Sequence, residues 1–133
     1  MKLSAFNRTI NKAEPLKEFG AEISKTLSEV VKDKDYVITM LTDDSAVDAI
    51  MNNSDFSKNL KSGSTVIDMS SVKPTTATKY GNTFKLKNIN YLDAPVSGGT
   101  IGAEEASLAI MVGGEQGVFD NSCLLYTSPS PRD

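Results

Sequence analysis

The 133-residue sequence contains no histidine and one cysteine, Cys123. A single cysteine excludes an internal disulfide, and the missing histidine excludes the Cys/His patterns that hold zinc. The same absence removes every mechanism in which an imidazole carries the proton, Ser-His-Asp triads included. Proton transfer in this chain falls to Lys, Tyr, Asp or Glu. Positive charge is also short. Fourteen Lys and Arg against 17 Asp and Glu leave a net charge of −3, with no basic stripe for a nucleic-acid backbone. No run approaches the roughly 18 to 20 apolar residues of a membrane helix. The opening residues Met1-Lys2-Leu3-Ser4-Ala5-Phe6-Asn7-Arg8 turn polar too early for a secretory signal, which points to a reducing compartment.

What is present suits one domain, since a globular chain of this length buries roughly two thirds of its unfolded surface. Short apolar runs alternate with helical patterns, the layout of βαβ units on a parallel sheet. Residues 2–6 read as a strand, and residues 11–19 as a helix with Pro15 near its first turn and Gly20 as its stop. Residues 21–23 are a strand stub. Thr26 and Glu29 form a capping box that opens a short helix reaching to about Asp33, with Val30 and Val31 facing the core. Residues 36–41 are nearly all apolar, as a strand covered on both faces has to be. Asp43 or Asp44 then caps a helix with Val47, Ile50 and Met51 on one face. A strand at 65–69, a helix led by Pro74, and strands at 90–94 and 108–112 complete the pattern.

Four loops follow strand ends, where open α/β sheets bind ligands. Asn7-Arg8-Thr9 carries an Arg and no acid where a dinucleotide fold chooses its cofactor, and an Arg there suits a 2′-phosphate. It also reads as a polar connector. The turn Met40-Leu41-Thr42-Asp43-Asp44 either offers free N–H groups to a phosphate or is an ordinary helix cap. The hydroxyls of Asp68-Met69-Ser70-Ser71 reach a ligand or close a local turn. The fourth loop, DAPVSGG at 93–99, is longer than a turn requires. Gly98 and Gly99 let the backbone approach a small anion closely, and Ser97 adds a hydroxyl donor.

The strings NRT (7–9), VITML (37–41), VIDMSS (66–71) and DAPVSGGTIGAEEASLAIMVGG (93–114), in this order, resemble the 3-hydroxyisobutyrate (β-hydroxyacid) dehydrogenase family, related to 6-phosphogluconate dehydrogenase. The resemblance covers about residues 2–120 and implies an α/β, Rossmann-like doubly wound domain with a mainly parallel sheet. It implies NADP as the preferred cofactor, with NAD the alternative. Asn7, Arg8 and Thr9 match the adenosine-ribose or 2′-phosphate site. Met40 and Leu41 match the cofactor-contacting turn, and Ser71 the hydroxyl near the nicotinamide. Ser97, Gly98 and Gly99 match the loop that holds the substrate's carboxylate or hydroxyl. The implied substrate is a small hydroxy acid or its semialdehyde. The implied parent is a homo-oligomer in the cytoplasm or the mitochondrion, with no nucleic-acid or membrane partner.

The family's first strand, its Gly-x-Gly-x-x-Gly loop and its catalytic lysine find no match here, and the lysine is expected beyond residue 120. The chain thus reads as an inactive fragment of an oxidoreductase, the alternative being a non-catalytic NADP-binding module. Ala106 stands where the family often has glycine. Residues 1–120 are expected to form the partial cofactor domain. Residues 121–133, NSCLLYTSPSPRD, show no period and read as non-native, adapter-derived sequence.

Overall fold

The computed structural model describes residues 2–97 and 109–110. Strand β1 (Ser4–Ala5) pairs in parallel with β2 (Glu22–Ile23). Between them the expected helix is two 3₁₀ turns, Ile10–Lys12 and Glu14–Phe19. Ala13 ends the first and begins the second, so no α-helical ladder develops across it. Pro15 lies at the start of the second turn, where its missing N–H costs little, and Gly20 ends it in the left-handed conformation with φ +86°.

Helix α1 (Leu27–Val31) begins where the capping box places it. The Thr26 hydroxyl accepts the Glu29 N–H, and the Glu29 carboxylate reaches back to the Lys25 N–H, one residue before the cap. The helix ends at Val31, short of Asp33, which takes a positive φ of 56°.

Strands β3 (Tyr36–Thr39), β4 (Thr65–Asp68) and β5 (Asn90–Asp93) form a parallel sheet in the order β3-β4-β5. Helices α2 (Asp44–Met51), α3 (Ser54–Ser57) and α4 (Pro74–Lys85) occupy the crossovers between them. Side chains alternate across the sheet, so Val37, Val66 and Tyr91 share one face. They pack there with Val31, Val47, Met51, Phe56, Leu60, Tyr80, Phe84 and Ile89 as one core. The Tyr80 hydroxyl donates to Asp48 and accepts from Asn52, fastening α4 to α2.

β3 is not covered on both faces, contrary to the expectation from its composition. Tyr36, Ile38 and Met40, on the face away from that core, are 41%, 49% and 57% exposed, although Ile67 and Leu92 of the neighbouring strands are fully buried. The cause is position: among the described residues β3 is the edge of its sheet, and β1–β2 is a separate ladder that does not pair with it. The last strands, β6 (Val96–Ser97) and β7 (Ala109–Ile110), pair antiparallel. Among the described residues no helix is long and apolar enough to cross a membrane.

Candidate functional site

The turn after β1 is organised by Asn7, whose side-chain oxygen accepts the Thr9 N–H at 2.8 Å. Thr9 then opens the first 3₁₀ turn without a side-chain cap. Arg8, between them, is exposed.

After β3, Met40 is exposed, while Leu41 turns inward against the core and gives its N–H to the Ser70 hydroxyl at 2.7 Å. The next residues cap and brace the start of α2. Asp43 caps α2 through the Ala46 N–H at 2.9 Å. Asp44 accepts the Thr76 hydroxyl at 2.7 Å and the Lys73 N–H at 3.1 Å, joining the start of α2 to that of α4. Those bonds, the Thr76 one foremost, hold the Asp44 carboxyl below its ordinary value. Two acids at this terminus oppose an anionic ligand.

After β4, the hydroxyl of Ser70 is buried and committed to Leu41, whereas Ser71 is exposed. Ser97 lies in β6, opposite Ala109. Gly98 and Gly99 lie outside the described residues.

The strand ends also hold a polar row that the loop motifs do not reveal. Thr39, Asp68 and Asp93 are register partners across β3, β4 and β5. Asp68 is fully buried and has no cation beside it among the described residues. Three donors satisfy it instead: the Thr39 hydroxyl at 2.9 Å, the Ser70 N–H at 3.1 Å and the Tyr91 hydroxyl at 3.1 Å. Burial, with the charge of Asp68 next, raises the Tyr91 hydroxyl far above its ordinary value. Asp93 keeps one buried carboxyl oxygen with no hydrogen-bond partner among the described residues. The trace of this row in the sequence is an acid at the end of two apolar strands, where a buried carboxylate has to find donors.

Burial, and then the negative charge of Asp68, push the Asp93 carboxyl above its ordinary 3.8. A carboxyl with a raised folded-state value favours the fold when protonated. Its contribution is complete below the unfolded value and is lost as pH rises through the folded one. Replacing Asp93 with Asn should therefore flatten the fall in melting temperature as pH rises above about 4. An unchanged slope in the variant would remove Asp93 as its source.

Comparison with known proteins places this arrangement. The model of the NAD binding domain of 6-phosphogluconate dehydrogenase matches residues 1–125. An uncharacterized oxidoreductase of Bacillus subtilis is 41% identical over 116 residues, covering 86% of this chain and 40% of the relative. The 2-hydroxy-3-oxopropionate reductase of Escherichia coli is 37% identical over 110 residues, 81% of this chain and 37% of the enzyme. The structure of Mycobacterium tuberculosis 3-hydroxyisobutyrate dehydrogenase with L-serine superposes with a TM-score of 0.89 at 28% identity, over 96% of this chain and 43% of that one. The chain thus spans about two fifths of the length of the relatives it matches. With its parallel Rossmann-like βα units and the polar turns at their ends, it belongs to the NAD-binding domain family of 6-phosphogluconate dehydrogenase and the related hydroxyacid dehydrogenases.

Proposed function

We propose that the whole protein is an oxidoreductase that passes a hydride between NADP(H) and a small β-hydroxy acid or its semialdehyde, and that residues 1–120 are part of its cofactor domain. The relatives' names support the reaction class: a 2-hydroxy-3-oxopropionate reductase, a 2-(hydroxymethyl)glutarate dehydrogenase and a glyoxylate/succinic semialdehyde reductase. The observation that carries the cofactor choice is the turn after β1, an exposed guanidinium with no acid beside it.

The donor set suits such a dinucleotide. Arg8 supplies a fixed cation for a 2′-phosphate, with Asn7 and Thr9 beside the adenosine ribose. The exposed Met40 and the Leu41 turn would give the cofactor an apolar flank, and the exposed Ser71 hydroxyl would serve its nicotinamide end. Ser97, Gly98 and Gly99 take the substrate's carboxylate or hydroxyl, where glycine admits the ligand close to the backbone. The bound nicotinamide supplies the hydride chemistry. These side chains bind and orient, while the proton of the substrate hydroxyl goes to a lysine beyond residue 120. Residues 121–133 take no part. The cytoplasm and a homo-oligomeric state complete the proposal.

In the full-length protein, Arg8→Ala should weaken NADP(H) about 10- to 100-fold, the worth of one charge-assisted contact, and leave NAD(H) nearly unchanged. Titrating both reduced cofactors by their fluorescence measures this. Equal losses for the two would exclude Arg8 as the phosphate reader.

A further inference from the structure

We infer that Asp68 is a positioning residue, which through Ser70 holds the turn after β3 and the turn after β4 in the mutual geometry the cofactor needs. The inference rests on the proposed cofactor reading, which assigns Met40 and Leu41 to one turn and Ser71 to the other.

The connection is a single run of hydrogen bonds. The Leu41 N–H donates to the Ser70 hydroxyl at 2.7 Å, and the Ser70 N–H donates to the Asp68 carboxyl at 3.1 Å. Thr39, which ends β3 just before Met40, donates its hydroxyl to the same carboxyl at 2.9 Å. Asp68 thus grips β3 directly at Thr39 and again, through Ser70, two residues farther on at Leu41. The backbone adds one bond beside these, from the Met69 N–H to the Thr39 carbonyl at 2.8 Å.

On its other side Asp68 accepts the Tyr91 hydroxyl at 3.1 Å, and its own carbonyl accepts the Ala94 N–H at 2.8 Å. Asp68 therefore ties together all three strands of the sheet: its buried carboxyl bonds Thr39 of β3 and Tyr91 of β5, and its backbone carbonyl bonds Ala94 just past β5. A side chain kept only for stability at this place could be apolar, as Val66 and Ile67 are. A buried carboxyl at this place is explained by what its bonds hold: they tie down Thr39, Leu41 and Ser70, the chain neighbours of the exposed Met40 and Ser71.

The test uses the full-length protein with Ser70→Ala, Asp68→Ala and Asp68→Asn, reading NADPH affinity by fluorescence alongside melting temperature and the kinetic constants. Ser70→Ala should raise the Kd and KM for NADPH about 5- to 20-fold, as expected for leaving one buried N–H without its acceptor, with kcat nearly unchanged. Asp68→Ala should lose at least as much. Asp68→Asn should restore binding to within about threefold, because an amide keeps an acceptor for Thr39 and Ser70 and can donate to the Tyr91 oxygen. If Asp68→Ala does not fold, the smaller Ser70→Ala change decides. Variants that melt earlier yet bind NADPH as tightly as the unaltered protein would overturn the inference and leave Asp68 a stabilising residue only. An Asp68→Asn variant as weak as Asp68→Ala would overturn positioning by hydrogen bonds. Failure of the unaltered protein to bind NADPH or NADH would instead refute the cofactor reading, and this inference with it.

Discussion

Purified alone, the 133-residue chain is expected to melt over a broad range without a cooperative transition, and to bind NADPH too weakly to saturate. The reason lies in its sheets. The outer edge of β3 pairs with no described strand, so one side of the three-stranded ladder lacks the neighbouring strand that an α/β layer packs against. Tyr36, Ile38 and Met40 stay about half exposed, and so do Leu3 and, more fully, Phe19 around β1–β2. Each large apolar side chain is worth roughly 1.5 to 3 kcal/mol when fully buried. Half of that across five side chains comes to about 4 to 7 kcal/mol, against a typical domain stability of about 5 to 15 kcal/mol. The β1–β2 ladder, two residues on each strand, adds little of its own. The turn carrying Arg8 hangs on that ladder, so the loss should reach cofactor binding first. Circular dichroism against temperature and a NADPH titration test this together. A sharp transition with micromolar affinity would show that the open edge is tolerated.

Much of this was legible beforehand, and the reasons differ from element to element. The Thr26 and Glu29 box and the α2 cap are local chemistry, decided within four residues; the structure forms the first where the spacing puts it and, of Asp43 and Asp44, uses Asp43 for the second. Val47 and Met51 were readable as core because a helix repeats every 3.6 residues whatever it packs against. The burial of β3 was not, since a run of apolar residues records what a strand is suited to and its neighbours decide what it receives. The Asp68 row was hidden for the same reason. Thr39 and Tyr91 lie 29 and 23 residues from Asp68 along the chain, and only the parallel register brings them to its carboxyl. Of the proposed site, Asn7, Arg8 and Thr9 are consecutive, so the sequence alone brings them together in one turn. The buried share of the turns after β3 and β4 needed the sheet.

Phe84→Ala should give the second large effect, and it joins the core to those turns. Phe84 is fully buried on α4, its ring 6.3 Å from that of Tyr80 and stacked 6.0 Å from that of Tyr91. Truncating a buried phenylalanine costs about 3 to 5 kcal/mol, from lost burial together with the cavity left behind. Urea denaturation of the full-length protein measures that loss. A second effect separates this site from the rest of the core. Tyr91 leans on Phe84 with its ring and holds Asp68 with its hydroxyl, so an emptied Phe84 site frees the tyrosine to shift away from the carboxyl. Phe56 in α3 belongs to the same cluster and is as deeply buried. Phe56→Ala should therefore cost similar stability yet leave NADPH affinity almost unchanged, whereas Phe84→Ala should weaken binding severalfold at temperatures where both variants are folded. Equal cofactor affinity in the two would mean that the packing beneath Tyr91 does not reach the turns. A stability loss below about 1 kcal/mol would mean that the core closes over the vacated ring.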